Sequence, residues 1–333
     1  MRNLHQFYYK DYFSKNIKGV DKENDSLSFS YIIKEEEKDR VSNPDEKKRI
    51  GNEISTIKTN NKAITEKRNG ILIGSGCSLK EDNKYILREE TFIPHITESK
   101  ELEGRGFYDI PLRISYPGLV TGIGIDHEAK IEGEFKLGVH FDWTYGMPVI
   151  YGSSVKGVLR SALIAKTEKG KIVEYDDYFL KQATGRNWSQ EEMDILFNDI
   201  FNGKKFVKEV EDDGKKIREY QNKSIYERDI FFDAVITAPD KDGHILCSDS
   251  ITPHGDNPLK NPTPLTFLKI APGCKLEFRF KLEDTKDLSG KVVFAKEDKR
   301  ILFTKVLTTL GIGAKTNVGY GQLKEVNEVC QKQ

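Results

Sequence analysis

Long apolar runs are missing from this 333-residue chain: no stretch approaches the roughly eighteen consecutive apolar residues that span a bilayer. Cysteine pairs at metal-binding spacing are missing too. The four cysteines, Cys77, Cys247, Cys274 and Cys330, lie far apart with no Cys-x-x-Cys, so reduced buried thiols are expected rather than a zinc site. The carboxylates Asp126, Asp142, Asp233, Asp249 and Asp256 match no metal-site loop, and no metal or cofactor is expected. The opening residues, Met-Arg-Asn-Leu-His-Gln-Phe-Tyr-Tyr-Lys, lack the apolar core of a secretory signal, which points to a cytoplasmic protein with no membrane partner. An excess of either charge is also absent. The 53 Lys and Arg balance 53 Asp and Glu, so net charge gives no global argument for nucleic acid.

What is present suffices for a core: 37% of residues are apolar and 10% aromatic. Residues 1–105 read as an N-terminal extension. It opens on an aromatic cluster of Leu4, Phe7, Tyr8, Tyr9, Tyr12 and Phe13, and contains a charged insertion over 34–70. That insertion has no aromatic residue and no clean period, and is expected to be mobile or helix-poor. Regular patterning begins near Phe107 and defines a second region, 106–333, with an insertion around 165–228. Ile110, Leu112 and Ile114 alternate as in a strand, and Leu119, Val120, Ile123 and Ile125 continue it past a bend at Pro117-Gly118. Further strands are expected over 135–141, 230–236, 244–248 and 275–282. Helices are expected over Val155–Leu163, from a Ser189/Glu192 capping box to Gly203, and over 297–310. Lys204–Lys223, with Asp213-Gly214 at its turn, reads as a projecting hairpin or flexible loop. The order is roughly β-β-α-α-β-β-β-α with a short last strand around 320–323, which fits an α+β ferredoxin-like sheet with helices on one face.

The densest motif is Gly-Ile-Gly-Ala-Lys-Thr-Asn-Val-Gly-Tyr-Gly, residues 311–321. Glycines let backbone amides approach an anion closely, and Lys315 and Thr316 could complete such a cradle. Nucleotide-binding patterns fail here. Thr309 and Ala314 break the Walker A spacing, Thr316 breaks Gly-x-Gly-x-x-Gly, and a helix precedes the loop where those motifs need a strand. The flanks are cationic, with seven basic residues against Glu297 and Asp298 over 291–324. A second motif is Ile150-Tyr-Gly-Ser-Ser-Val-Lys-Gly-Val-Leu-Arg-Ser161, where Ser153 and Ser154 are candidate N-caps and Lys156 and Arg160 share a helical face.

These two motifs resemble the RAMP superfamily of CRISPR effector proteins. Tyr116-Pro-Gly-Leu-Val-Thr-Gly-Ile-Gly124 and Asp249-Ser-Ile-Thr-Pro-His-Gly255, with Pro264-Leu-Thr-Phe-Leu after it, narrow the likeness to the sixth RAMP subunits of type III-B (Cmr) complexes. The resemblance covers about 107–326. It implies an RNA-recognition-motif-like domain that binds CRISPR RNA without cutting it, near the 3′ end of the guide, beside other RAMP subunits and complementary target RNA. On this basis RNA contact is expected from Ser153, Ser154, Lys156, Arg160, Gly311, Gly313, Lys315, Thr316 and Asn317. Tyr320 reads equally as a base-stacking residue or a sheet anchor. The family usually has Pro where Tyr151 stands, and an aromatic there could stack on a base. The alternative is a metal-independent endoribonuclease maturing guide precursors, for which His127 and His254 are the acid–base candidates.

Overall fold

The computed structural model describes residues 34, 38, 41, 43–74, 105–122, 135–142, 144, 146–212, 215–252 and 264–326. They belong to two compact units, residues 6–86 with 126–136, and residues 1–5, 87–125 and 137–333. The aromatic N-terminal cluster, His127, His254, Cys77, Cys330 and the Asp213-Gly214 turn lie outside the described residues.

In the first unit the main element is α1 (Pro44–Gly74), a helix of 31 residues. The 34–70 stretch expected to be helix-poor is therefore largely helical. Asn43 starts the helix, its side chain accepting the Asp45 N–H at 3.0 Å, and Pro44 brings a backbone already suited to a first turn. Lys, Arg and Glu then propagate it with little apolar periodicity, because only Ile50 and Ile54 are buried in its first half.

The second unit contains β1 (Phe107–Ile114), β2 (Lys136–Leu137), β3 (His140–Phe141), β4 (Pro148–Ile150), α2 (Gly152–Ser161), β5 (Ile164–Glu168), β6 (Lys171–Tyr175), α3 (Tyr178–Thr184), α4 (Gln190–Asn202), β7 (Lys204–Asp212) and β8 (Lys215–Asn222). It continues with β9 (Ile230–Phe231), β10 (Ala234–Ala238), β11 (Leu246–Ile251), β12 (Leu265–Ile270), β13 (Lys275–Lys281), β14 (Thr285–Lys286), β15 (Val292–Phe294), α5 (Lys296–Leu310) and β16 (Leu323–Glu325). A seven-stranded sheet runs β16-β1-β13-β10-β4-β3, with β9 beside β13. Within it, the chain order β1-α2-β10-β13-α5-β16 maps onto the spatial order β16-β1-β13-β10 with antiparallel neighbours. That is the ferredoxin-like arrangement expected from the sequence, and the remaining elements are insertions into it.

One face of the sheet is the core. Ile110, Leu112 and Ile114 of β1 and Leu276, Phe278 and Phe280 of β13 are buried with Val155 and Leu159 of α2 and Leu302, Phe303, Val306 and Leu307 of α5. Phe280 and Phe303 meet at 5.1 Å between ring centroids, and Phe231 lies 5.7 Å from Phe303. Period-two alternation puts charges on the opposite face, where Asp109 and Arg279, paired across β1 and β13, form two hydrogen bonds of 2.7 and 2.8 Å.

The Ser189/Glu192 capping box and the Gly203 stop of α4 are present, and β7 pairs with β8 as a hairpin. Two readings change. The single strand expected over 230–236 is interrupted at Phe232-Asp233, against which Gly152 at the start of α2 packs. The strand expected to continue past Pro117-Gly118 does not do so over the described residues: β1 stops at Ile114, a turn closed by Gly118 N–H to Ser115 O at 2.9 Å follows, and Leu119 makes an isolated bridge to Ile270, while Ile123 and Ile125 lie outside the described residues. The hairpins β5–β6 and β14–β15 and helix α3 had no clear period to announce them.

Under α5 lies a charged cluster that balances itself. Lys299, fully buried, donates to Asp229 at 2.6 Å and to the Glu283 carbonyl at 2.6 Å, while Lys223 donates to Asp199 at 2.8 Å. Thr285 also donates to Asp199, at 2.5 Å, so the insertion helix α4, β14 and α5 are tied by groups whose desolvation requires one another.

Candidate functional site

Helix α2 begins two or three residues earlier than its serines suggest. Tyr151 is the N-cap residue, in extended backbone, and its carbonyl accepts the N–H groups of Ser154 at 2.8 Å and Val155 at 3.1 Å. Ser153 and Ser154 are therefore first-turn residues with exposed side chains, not caps. The cause is Gly152. A Cβ there would stand 2.3 Å from the Phe231 carbonyl oxygen, so only glycine lets the helix start against the break between β9 and β10. The Gly152 N–H donates to Asp233 at 2.7 Å, a positioning role for Asp233 that its place in an apparent strand concealed.

Lys156 and Arg160 share a face, as their spacing requires. The Lys156 Nζ lies 5.7 Å from the Phe231 ring centre, and the Arg160 guanidinium 5.2 Å from that of Phe197. Burial, followed by repulsion from Arg160 and Arg228, lowers the pKa of the Lys156 ammonium. An anion placed beside Lys156 would relieve that repulsion.

The glycine loop is held by backbone approaches of unusual closeness. Gly311, Gly313, Gly319 and Gly321 all have positive φ. A Cβ at Gly313 would lie 2.3 Å from the Val120 carbonyl oxygen, and one at Gly321 only 1.8 Å from that of Ile312. Ala314 N–H donates to Val120 O at 2.7 Å, and Gly321 N–H to Gly118 O at 2.8 Å. The loop is thus clamped onto the Tyr116–Gly122 segment.

Its centre is left open. Lys315 is exposed and left-handed (φ 59°, ψ 32°), and Thr316–Val318 form a 3-10 turn. Among the described residues, the N–H groups of Gly313, Lys315, Thr316 and Asn317 have no acceptor. A left-handed residue followed by right-handed ones turns successive amides inward, which makes an anion-binding concavity. The α5 dipole does not assist, since this is the helix's C-terminal end, so attraction must come from the loop amides and the Lys315 charge.

Tyr320 is an anchor. It is 7% exposed, its ring lies 6.2 Å from that of Phe267, and its hydroxyl donates to Asp249 at 2.8 Å. Lys269 also pairs with Asp249 and sits over the Tyr320 ring at 5.4 Å. Burial and the Asp249 carboxylate push the Tyr320 hydroxyl up to about 12. Burial alone would raise Asp249, but hydrogen bonds from Lys269, Tyr320 and the Ser250 N–H outweigh it and hold the carboxyl below its usual range.

Three of the four sequence motifs therefore converge: 116–122, the start of 249–255 and 311–321. The fourth reaches them indirectly. Tyr151 stacks on His140 at 5.1 Å, and the His140 N–H donates to Thr121 at 2.6 Å, next to Val120 under the loop. Tyr151 thus has a protein partner for its ring. Among the described residues, no hydrogen bond or ring contact joins Lys156 or Arg160 to the loop itself.

A family model for the RAMP superfamily matches residues 70–324. The chain belongs to the RAMP superfamily. A comparison with curated proteins found no match. Among solved structures this RAMP protein is similar to a chain of a type III-B Cmr-beta complex bound to cognate target RNA, at 18% identity over 98% of this chain and 91% of that one, with a TM-score of 0.45. It is also similar to Cmr6 from Pyrococcus furiosus (19% identity, 66% and 98% coverage, TM-score 0.36) and to a chain of a type IV-B CRISPR complex (10% identity, 68% and 93% coverage, TM-score 0.34). At these scores they add nothing to the family assignment, which rests on the match over 70–324.

Proposed function

We propose that this RAMP protein is a non-catalytic CRISPR RNA-binding subunit of a type III-B (Cmr) interference complex. It holds the guide backbone near its 3′ end beside other RAMP subunits, which cut complementary target RNA. The observation that carries the reading is the glycine loop, where four amides without acceptors among the described residues and the exposed Lys315 fall within residues 313–317 of a chain whose family is shown. The Lys156, Arg160 and Arg228 group offers a second place for phosphates. The four motifs, in the order seen in the sixth Cmr subunits, support that position within the complex.

The test is to incubate the full chain with labelled CRISPR repeat RNA, with and without chelator. Bound, uncut RNA is the expected result. Specific cleavage lost in His127→Ala or His254→Ala would replace the scaffold reading with an endoribonuclease, and absence of RNA binding at low salt would remove both.

A further inference from the structure

The sequence offers Tyr320 as a base-stacking candidate, and the fold buries it. A different tyrosine stands free beside the same loop. Tyr116 is 86% exposed, and among the described residues its hydroxyl has no hydrogen-bond partner. We propose that Tyr116 is a platform on which one base of single-stranded RNA stacks while the neighbouring phosphate lies in the glycine loop. The proposal rests on the RNA-binding reading above and adds to it the residue that engages a base.

Exposure alone is a weak argument, since a residue at a turn corner usually faces solvent. What distinguishes Tyr116 is how firmly its turn is held against the loop. Ser115 N–H donates to the Gln322 carbonyl at 2.9 Å, and Gly321 N–H to that of Gly118 at 2.8 Å. Leu119 and Ile270 exchange backbone hydrogen bonds of 3.0 and 2.9 Å. The Pro117 ring abuts Gly319, its Cδ 3.7 Å from where a Cβ would be, one residue beyond the 3-10 turn that carries Thr316 and Asn317. Tyr116 is thus an aromatic ring on a fixed mount next to unpartnered amides and a cation. A ring with two rotatable bonds on a rigid turn loses little entropy when a base covers it. Val318, on the same loop, is 63% exposed. Stacking uses a π-face that all four bases share, so the platform takes any base and selects single strands over duplex.

The experiment measures binding of a fluorescein-labelled single-stranded RNA to the full chain by anisotropy, over a range of salt. Tyr116→Ala is expected to weaken binding about 5- to 100-fold, with Tyr116→Phe within about twofold of wild type, because the ring and not the hydroxyl carries the contact. The salt slope stays unchanged in Tyr116→Ala, whereas Lys315→Ala lowers its magnitude by about 0.7. Tyr178→Ala, an exposed tyrosine on α3, serves as the control and binds as wild type. Equal affinity of Tyr116→Ala and wild type overturns the stacking proposal and leaves the RNA-binding reading standing, and so does an equal loss in Tyr116→Ala and Tyr116→Phe. Failure of the wild-type chain to bind RNA at low salt overturns both.

Discussion

The glycine loop and the α2 face are two cationic motifs built in opposite ways. In the loop, the residues named by the motif are fixed by backbone: Gly311, Gly313 and Gly321 sit where a side chain would strike a carbonyl, and the open amides lie among them. On α2, the named residues are side chains on an ordinary helix, resting on Phe231 and Phe197, and only Gly152 is confined by its surroundings. A motif can therefore record a shape that must form or a charge that must be displayed. Substitution separates the two, because changes at the confined loop glycines should act on stability first and changes at Lys156 and Arg160 on ligand binding first.

The largest effect is expected at Gly321. With φ +71° and the Ile312 carbonyl oxygen 1.8 Å from where a Cβ would stand, Gly321→Ala should lower stability by about 3 kcal/mol or more, read as a large fall in Tm. Next is Asp249→Asn, which leaves the nearly buried Lys269 ammonium without its carboxylate and weakens the Tyr320 hydrogen bond. A loss of about 1–2 kcal/mol at neutral pH is expected in denaturant unfolding. Because the folded Asp249 pKa lies below its ordinary value, its contribution is present above that value and lost as pH falls through the folded one. Wild type should therefore lose more stability than Asp249→Asn on acidification below about pH 4.

On α2 the sign reverses. Gly157 is helical, with nothing within 4 Å of a Cβ, so Gly157→Ala should stabilise the protein by about 0.5–1 kcal/mol. The smallest change is expected from Lys315→Gly. It removes the charge and the left-handed backbone cost together, so Tm should hold or rise slightly while RNA affinity falls.

Periodic elements were legible in advance. The alternation of β1 and β13, the Ser189/Glu192 box of α4 and the apolar stripe of α5 follow from local pattern, and their order was enough to indicate the ferredoxin-like sheet. The candidate site was legible as sequence motifs but not as an arrangement. The burial of Tyr320 depends on Asp249, 71 residues away, and the start of α2 depends on Asp233, 81 residues away. The exposure of Tyr116 depends on a turn locked by Gln322 and Gly321. The helix over Pro44–Gly74 was missed for another reason: its stability comes from charged helix formers and a cap, which leave no hydrophobic period.

The central claim is that the loop and the α2 face both contact RNA phosphates, and the salt dependence of binding tests it most directly. For the full chain and a single-stranded CRISPR repeat RNA, the triple variant Lys156→Ala, Arg160→Ala, Lys315→Ala should bind more weakly. Its log–log salt slope should be shallower than that of wild type by about 2, one increment of about 0.7 for each phosphate no longer neutralised. An unchanged affinity and slope in the triple variant would contradict the account.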